Sequence, residues 1–331
     1  MNVLALTIGD SHVASTQYRL GQFAGTLREL GIHLDFAPAH DRSRWPRLES
    51  YDLVIVQKRL MRLSWVKRVR RESKRLIFDT DDAIWEPHGR KHSWWSRVRT
   101  RARLRAIVRA ADLCTVANEH LAGFLKSDAR GVEVVPMALD EATWHPAAAR
   151  ASGPLRIGWA GAPPNLVYLA RLGPALHEIQ RSRPEVEIVV YCGQPPQWRS
   201  PVVSRHVPFE PGTEADVVRT FDIGLLPLPD DAFAAGKSPI KALQYAACGV
   251  PCVASPVGAT CEIVKDEATG LTAETKSQWK EALLRLIDDE ALRRRLGEEA
   301  RAMFQRTHTG QRVREKLAAC WKSVTDSAVR E

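Results

Sequence analysis

The chain predicts an α/β protein of two doubly wound, parallel-sheet domains, and three observations carry that expectation. Short β-rich apolar runs alternate with helix-length segments twice over, the pattern of parallel strands covered by helices on both faces. At 331 residues the chain exceeds one ordinary domain, so two are expected. A Pro/Ala-rich stretch, HPAAARASGP at residues 145–154, separates the two series. It divides the chain into an N-terminal domain at 1–148 and a C-terminal domain at 149–308, with a last helical segment, 309–331, read as crossing back to the first domain.

In the first half NVLALTI, IHLDFAP, DLVIVQ, RLIFD, DLCTVA and VEVVP read as strands, with helices at 18–30 and 66–74. In the second half LRIGWAG, VEIVVYCG, FDIGLLPL and PCVAS read as strands, with helices at 166–181, 239–247 and 277–306. Both halves are therefore expected to be Rossmann-like. Ligands of such sheets bind at the carboxyl ends of the strands, so the expected site is a central cleft that both domains face.

Composition narrows the classes. An apolar content of 44% is ordinary for a globular protein. The apolar opening stops at Gly9-Asp10 with no basic residue before it, which argues against a signal peptide. No run reaches the roughly 18 apolar residues of a membrane span. The six cysteines lack paired CxxC spacing, so free thiols in a reducing cytoplasm are expected, without a structural zinc. The net charge of +9 is uneven: residues 1–150 carry 25 Lys+Arg against 17 Asp+Glu. Around residues 58–74 a helical pattern puts Trp65, Val66 and Val69 on one side and Lys67, Arg68, Arg70, Arg71 and Lys74 on the other. Such a face suits either plain solvent or an anionic membrane surface. In SWWSRVRTRARLRAIVR, arginines at 97, 99, 101, 103 and 105 advance about 200° each on a helix and are expected to point all round it. No nucleic-acid-binding motif accompanies the charge, and no nucleic-acid partner is expected.

Four segments carry candidate chemistry. KSPIKALQYAACGVPCVASPVG, from Lys237 to Gly258, reads as a helix start with Ser238 as N-cap and Pro239 in the first turn. Free amides, roughly half a positive charge from the helix dipole, and Lys237 with Lys241 would favour a phosphate there. DTDD follows the RLIFD strand and brings Asp79, Asp81 and Asp82 together, a crowding that calls for a cation, a sugar or a proton. GDSHVAST and GWAGAPPN are small-residue loops that end a strand and open a helix.

These motifs together resemble a known family. Residues 236–271, GKSPIKALQYAACGVPCVASPVGATCEIVKDEATGL, are similar nearly position for position to the signature block of the GT-B-fold glycosyltransferases, especially family 4, the retaining enzymes of polysaccharide and glycolipid synthesis. ASTQYRL, VQKR, LIFDTDDAIW and CTVANEHL resemble one subgroup in the first half. The resemblance implies a donor site for a nucleotide-diphosphate sugar at Gly161, Gly193, Lys237, Ser238, Pro239, Ile240, Lys241, Gln244 and Glu262. It implies an acceptor site at Ser15, Tyr18 and Arg19, with Asp79, Asp81 or Asp82 in the catalytic region where many relatives have a histidine. Gly236 stands in place of a glutamate that contacts the transferred sugar, and Asp230 or Asp231 would substitute. Gln244 stands in place of a glutamate that holds the ribose, and an amide lacks the charge assistance of a carboxylate.

The implied reaction is sugar transfer to a hydroxyl of a glycan or lipid-linked acceptor, with retention, without a metal or other cofactor, by a protein peripheral on the inner membrane face. Helix amides and lysines would stabilise the leaving diphosphate. Alternatives are a metal-dependent transferase using the DxD within DTDD, an epimerase on sugar nucleotides, and a catalytically inactive binding or scaffold protein of the same fold.

Overall fold

The computed structural model describes residues 1–9, 14–87, 93–147 and 153–326, with the side chains of residues 14 and 15 left aside. Chain contacts divide it into two units: Met1–Ala138 with Ala235–Ser238 and Gly310–Glu331, and Leu139–Ala234 with Pro239–Thr309. The first crossing falls earlier than the Pro/Ala-rich stretch. Leu139 N donates to the carbonyl of His308, and the buried Trp144 takes a hydrogen bond from Arg301 at its carbonyl. Residues 139–147 are thus anchored on the second unit before the Pro/Ala composition begins.

The first unit holds a six-stranded parallel sheet: β1 (Asn2–Thr7), β2 (His33–Pro38), β3 (Leu53–Gln57), β4 (Leu76–Thr80), β5 (Leu113–Val116) and β6 (Val132–Val134), in the order β2-β1-β3-β4-β5-β6. Side chains alternate across it as the pleat requires. Leu4, Leu6, Val54, Val56 and Phe78 join one core with Val66, Val69, Leu104 and Ile107 from helices Leu63–Glu72 and Trp94–Ala110. Val3, Ala5, Leu53, Ile55 and Ile77 join the other with Leu20, Phe23 and Leu27. Helix Gly310–Asp326 completes that second core through Val313, Leu317, Trp321 and Val324, a spacing that holds one helical face to the sheet. The stretch read as one helix at 18–30 is broken into short α and 3-10 turns, ending at Gly31 with φ 73°. Gly21 and Gly25 within it weaken a continuous helix.

The second unit has β7 (Arg156–Ala160), β8 (Glu187–Cys192), β9 (Ser204–Pro208), β10 (Ile223–Leu226), β11 (Cys252–Ala254) and β12 (Gly270–Thr272), ordered β12-β11-β10-β7-β8-β9. Counted within this unit, that is the 3-2-1-4-5-6 order of dinucleotide-binding folds, with its switch point between β7 and β10. The first sheet has the 2-1-3-4-5 order, extended by one strand, with its switch between β1 and β3. β9 and β12 are not legible as apolar runs: β9 is a half-exposed edge strand containing Arg205 and His206, and β12 has three residues. The 277–306 stretch is two helices, Lys276–Asp288 and Glu290–Thr307. Asp289 ends the first and caps the second, accepting from Leu292 N at 2.8 Å.

Two glycines of this sheet are fixed by close packing. A Cβ on Gly158 would stand 2.1 Å from the Phe221 ring, and one on Gly224 2.6 Å from the Tyr245 ring. All six cysteines are free, and burial pushes the Cys114 and Cys248 thiols up to about 12, so both stay protonated. Among the described residues, no helix is long and apolar enough to cross a membrane.

Candidate functional site

In the first unit, the carboxyl ends of β3, β4 and β5 concentrate charge. Asp79, the fourth residue of β4, receives the Arg19 guanidinium at 2.7 Å and the Thr115 hydroxyl at 2.6 Å. Arg19 also donates to the carbonyl of Val135, and both charged side chains are 1% exposed. Burial works against the Arg19 charge, but Asp79 outweighs it and holds the guanidinium pKa above its ordinary value. This arrangement corrects two expectations. Arg19 is not presented to an acceptor, and Asp79 is not available as a catalytic carboxylate, because each neutralises the other inside the unit. Tyr18 is half-buried, and Gln22 donates to its carbonyl. The side chain of Ser15 and residues 10–13 of the GDSHVAST loop lie outside the described residues.

The other two acids of DTDD behave differently. Lys58 follows β3 in the left-handed region, at φ 51°, and its amide donates to the Asp79 carbonyl at 2.7 Å. That turn aims its ammonium between two carboxylates: it bonds Asp81 at 3.2 Å and also bonds Asp82. Burial opposes the Lys58 charge, and Asp81 and Asp82 outweigh it, raising its pKa. Asp81 is raised by burial against the pull of Lys58, and the adjacent Asp82 adds to the rise. Lys58 thus bridges Asp81 and Asp82, while Asp79, the other acid of the DxD, is held by Arg19. In the sequence Lys58 stands out only as part of VQKR. Its signal, a lysine directly after a buried parallel strand, is visible in sequence only once the strand end is known to face DTDD.

The segment 235–238 belongs to this same unit. Ser238 Oγ donates to the carbonyl of Asp81 at 2.6 Å, and its amide donates to Asp82 Oδ1 at 3.3 Å. Ser238 is therefore not a helix N-cap. The helix runs Ile240–Ala247 with Pro239 in the N-cap place and no side-chain cap, so the serine's hydroxyl is spent on the DTDD loop. The Lys237 ammonium makes no hydrogen bond or ion pair among the described residues. Burial lowers its pKa; Asp82 opposes that shift and Lys58 adds to it. A Cβ on Gly236 would stand 2.5 Å from Ala83 Cβ and 3.1 Å from Leu121 Cδ2. A larger side chain at this position would have to displace Ala83.

In the second unit the carboxyl ends are built from glycine, backbone and aromatic rings. Gly161 follows β7, donates to the Tyr191 carbonyl at 3.1 Å, and has no room for a Cβ beside Trp159, 2.3 Å away. The Tyr245 hydroxyl accepts from Ala160 N and donates to the Leu225 carbonyl, each at 3.2 Å. It ties β7 to β10 at the switch point, and nothing in the sequence pattern marks it for that role. Gly193 is exposed after β8, Lys241 is half-buried on helix Ile240–Ala247, and Glu262 is exposed on Thr260–Ile263. Gln244 is fully buried and donates to Glu214 at 3.2 Å, which corrects its expected presentation to a ribose. Glu214, a half-buried carboxylate from a helix of no marked motif, is the acidic group at this place. Asp231 caps Ala232–Ala235 by accepting from Ala234 N at 2.8 Å, and Asp230 beside it is exposed.

The strand orders match a known architecture. The structure is similar to sucrose-phosphate synthase from Thermosynechococcus elongatus, with a TM-score of 0.78 over 98% of this chain and 99% of that one, at 14% identity. It is also similar to Anabaena HepE solved in complex with UDP-glucose, with a TM-score of 0.69 over 98% and 100% at 13% identity. The fold is GT-B. Residues 231–303 of this GT-B chain match the family described as glycosyl transferases group 1, a segment that contains Lys237, Gln244 and Glu262. A curated relative, D-inositol 3-phosphate glycosyltransferase of Kineococcus radiotolerans, is 28% identical over 265 residues. That alignment takes in 67% of this chain and spans 60% of the length of the relative.

Proposed function

We propose that this GT-B protein is a glycosyltransferase that moves a sugar from a nucleotide-diphosphate donor to a hydroxyl of a glycan or lipid-linked acceptor. The observation that carries the reading is Lys237. It is a half-buried ammonium with no hydrogen bond or ion pair among the described residues, three residues before the helix Ile240–Ala247, within the group 1 match. Burial disfavours its charge and Asp82 offsets that only in part, so an arriving anion would stabilise it, and a diphosphate is the anion this family match suggests.

In this reading Lys237 stabilises the charge that grows on the leaving diphosphate, so its effect is larger in the transition state than in the ground state. The transfer proceeds with retention. It needs no metal, since Lys58 already supplies the positive charge that Asp81 and Asp82 hold. Asp82, with the Lys58 ammonium on one oxygen and the Ser238 amide on the other, orders the loop around the acceptor hydroxyl. The reaction serves cell-envelope polysaccharide or glycolipid synthesis, with the protein on the inner face of the membrane.

The test is a thermal-shift series with UDP, GDP, ADP and dTDP on the wild type and Lys237→Ala. A ligand at 100 times its dissociation constant stabilises by about 2.7 kcal/mol, and one nucleotide should do so for the wild type while Lys237→Ala loses the shift. Transfer from the matching sugar nucleotide, abolished by the same substitution, completes the case. Binding without turnover on any donor would identify a scaffold instead, a reading favoured by Gly236 and the burial of Gln244. Loss of activity in EDTA with recovery in manganese would refute the metal-independent mechanism.

A further inference from the structure

Two basic helices lie in the first unit, and their charges are treated differently. On Leu63–Glu72 and just beyond it, Arg68 and Arg71 pair with Glu72, Arg70 with Asp112, and Lys74 with Asp52. Three acids thus answer four of the five basic side chains of that surface, and Lys67 forms no ion pair among the described residues. On Trp94–Ala110 the side chains of Arg97, Arg99 and Arg101 are exposed and form no hydrogen bond or ion pair among the described residues. Leu104, Ile107 and Val108 fix the inner face of this helix in the core. Arg97 and Arg99 stand about 200° apart on the helix and both are exposed, so the arginines reach round its start as expected; 101 and 105 are exposed and 103 is half-buried.

The start of the same helix is apolar and outward. Trp94 and Trp95 are 65% and 73% exposed, with ring centroids 4.6 Å apart, and Val98 one turn on is 44% exposed. No acid occupies the first turn, although the helix dipole favours one there. The tip therefore adds unpaired arginines to the positive end of a dipole and sets two indoles among them. That combination matches one surface: an anionic bilayer, whose headgroup zone accepts indole rings and whose phosphates attract guanidinium groups. A soluble acidic partner would explain the arginines and leave the two outward indoles without a role.

We infer that the Trp94–Trp95 tip, ringed by Arg97, Arg99 and Arg101, is the surface by which the protein docks on anionic lipid. The inference rests on the proposed function only for its purpose, access to a lipid-linked acceptor, and its test does not use activity. The experiment is co-flotation of the full chain with vesicles of phosphatidylcholine alone and with vesicles containing phosphatidylglycerol. The wild type should float with the anionic vesicles and not with the neutral ones. Arg97→Gln/Arg99→Gln/Arg101→Gln should lose about 100-fold in partitioning, and Trp94→Ala/Trp95→Ala should lose at least about tenfold. Lys67→Gln/Arg68→Gln/Arg71→Gln should float as the wild type does. Equal recovery with both vesicle types, no flotation with either, or flotation undiminished by the tip variants would overturn the inference. Circular dichroism of each variant separates a lost surface from a lost fold. Flotation that persists in Lys237→Ala, with nucleotide binding absent, would leave the docking surface standing while the donor reading fell.

Discussion

At the carboxyl ends of the first sheet the residues near β4 are charged or answer a charge: Arg19 to Asp79, Lys58 to Asp81 and Asp82, Ser238 to both members of that last pair. In the second sheet the space is settled by glycine against rings, Gly161 on Trp159 after β7 and Gly224 on Tyr245 within β10, with the tyrosine hydroxyl stitched to backbone. The same doubly wound plan thus serves two ends. One unit pairs buried ionisable groups, and the other packs backbone closely against aromatic rings. A defect should accordingly show as an electrostatic penalty in the first and as a steric one in the second.

The largest break should come from Asp79→Asn, which leaves Arg19 buried without its counter-charge. Removing one partner of a buried pair costs about 3–5 kcal/mol, read as a lower denaturant midpoint. The double variant Arg19→Met/Asp79→Leu should recover much of that loss, because both charges leave together.

Next in size is the pH dependence of ligand binding set by Lys237. Burial holds its pKa below that of an ordinary lysine, so affinity for the nucleotide diphosphate should fall as pH rises through that depressed value, by up to about 1.5–3 kcal/mol. The unfolded chain keeps this proton to higher pH, so the stability contribution of the same group rises across that window while affinity falls. Calorimetric titration at a series of alkaline pH values should show the decline, and Lys237→Arg, always protonated, should flatten it. An unchanged affinity up to the pKa of a free lysine would count against the site.

A steric break of comparable or smaller size is expected for Gly297→Ala in the second unit. The new Cβ would stand 2.1 Å from the carbonyl oxygen of Gly249, a backbone atom that cannot rotate away. Overpacking of this kind costs about 1–3 kcal/mol, and salt should not modulate it, unlike the charge variants of the first unit. The smallest effect belongs to Thr275→Ala, which removes the capping box with Gln278 and should lower stability by about 1 kcal/mol.

Much of this plan is readable before any coordinates. Buried parallel strands such as β1, β3, β4 and β8 announce themselves because both faces are covered and the run is apolar throughout. β9 does not, since an edge strand bearing Arg205 and His206 looks like a loop. For the candidate site, DTDD and Lys237 are visible as residue types, yet their roles depend on partners remote in sequence. Asp79 reads as reactive until Arg19, 60 residues away, is found to neutralise it. Lys58 and Glu214 carry no local signature, because what makes them notable is the residue each one faces. Ser238 illustrates a different failure: Ser-Pro before an apolar helix is a sound capping signal, overridden here by a tertiary hydrogen bond to Asp81.

Helix Gly310–Asp326 seals the second core of the first unit, with Trp321 wholly buried in the same core as strands far earlier in the chain. During synthesis the first sheet emerges early but cannot close that core until this helix has cleared the ribosome. The second unit, contiguous apart from the four residues 235–238 and complete by Thr309, meets no such delay. The unit whose sheet is made first is therefore finished last, and until then the apolar face of β1 and β3 lacks the cover of this helix.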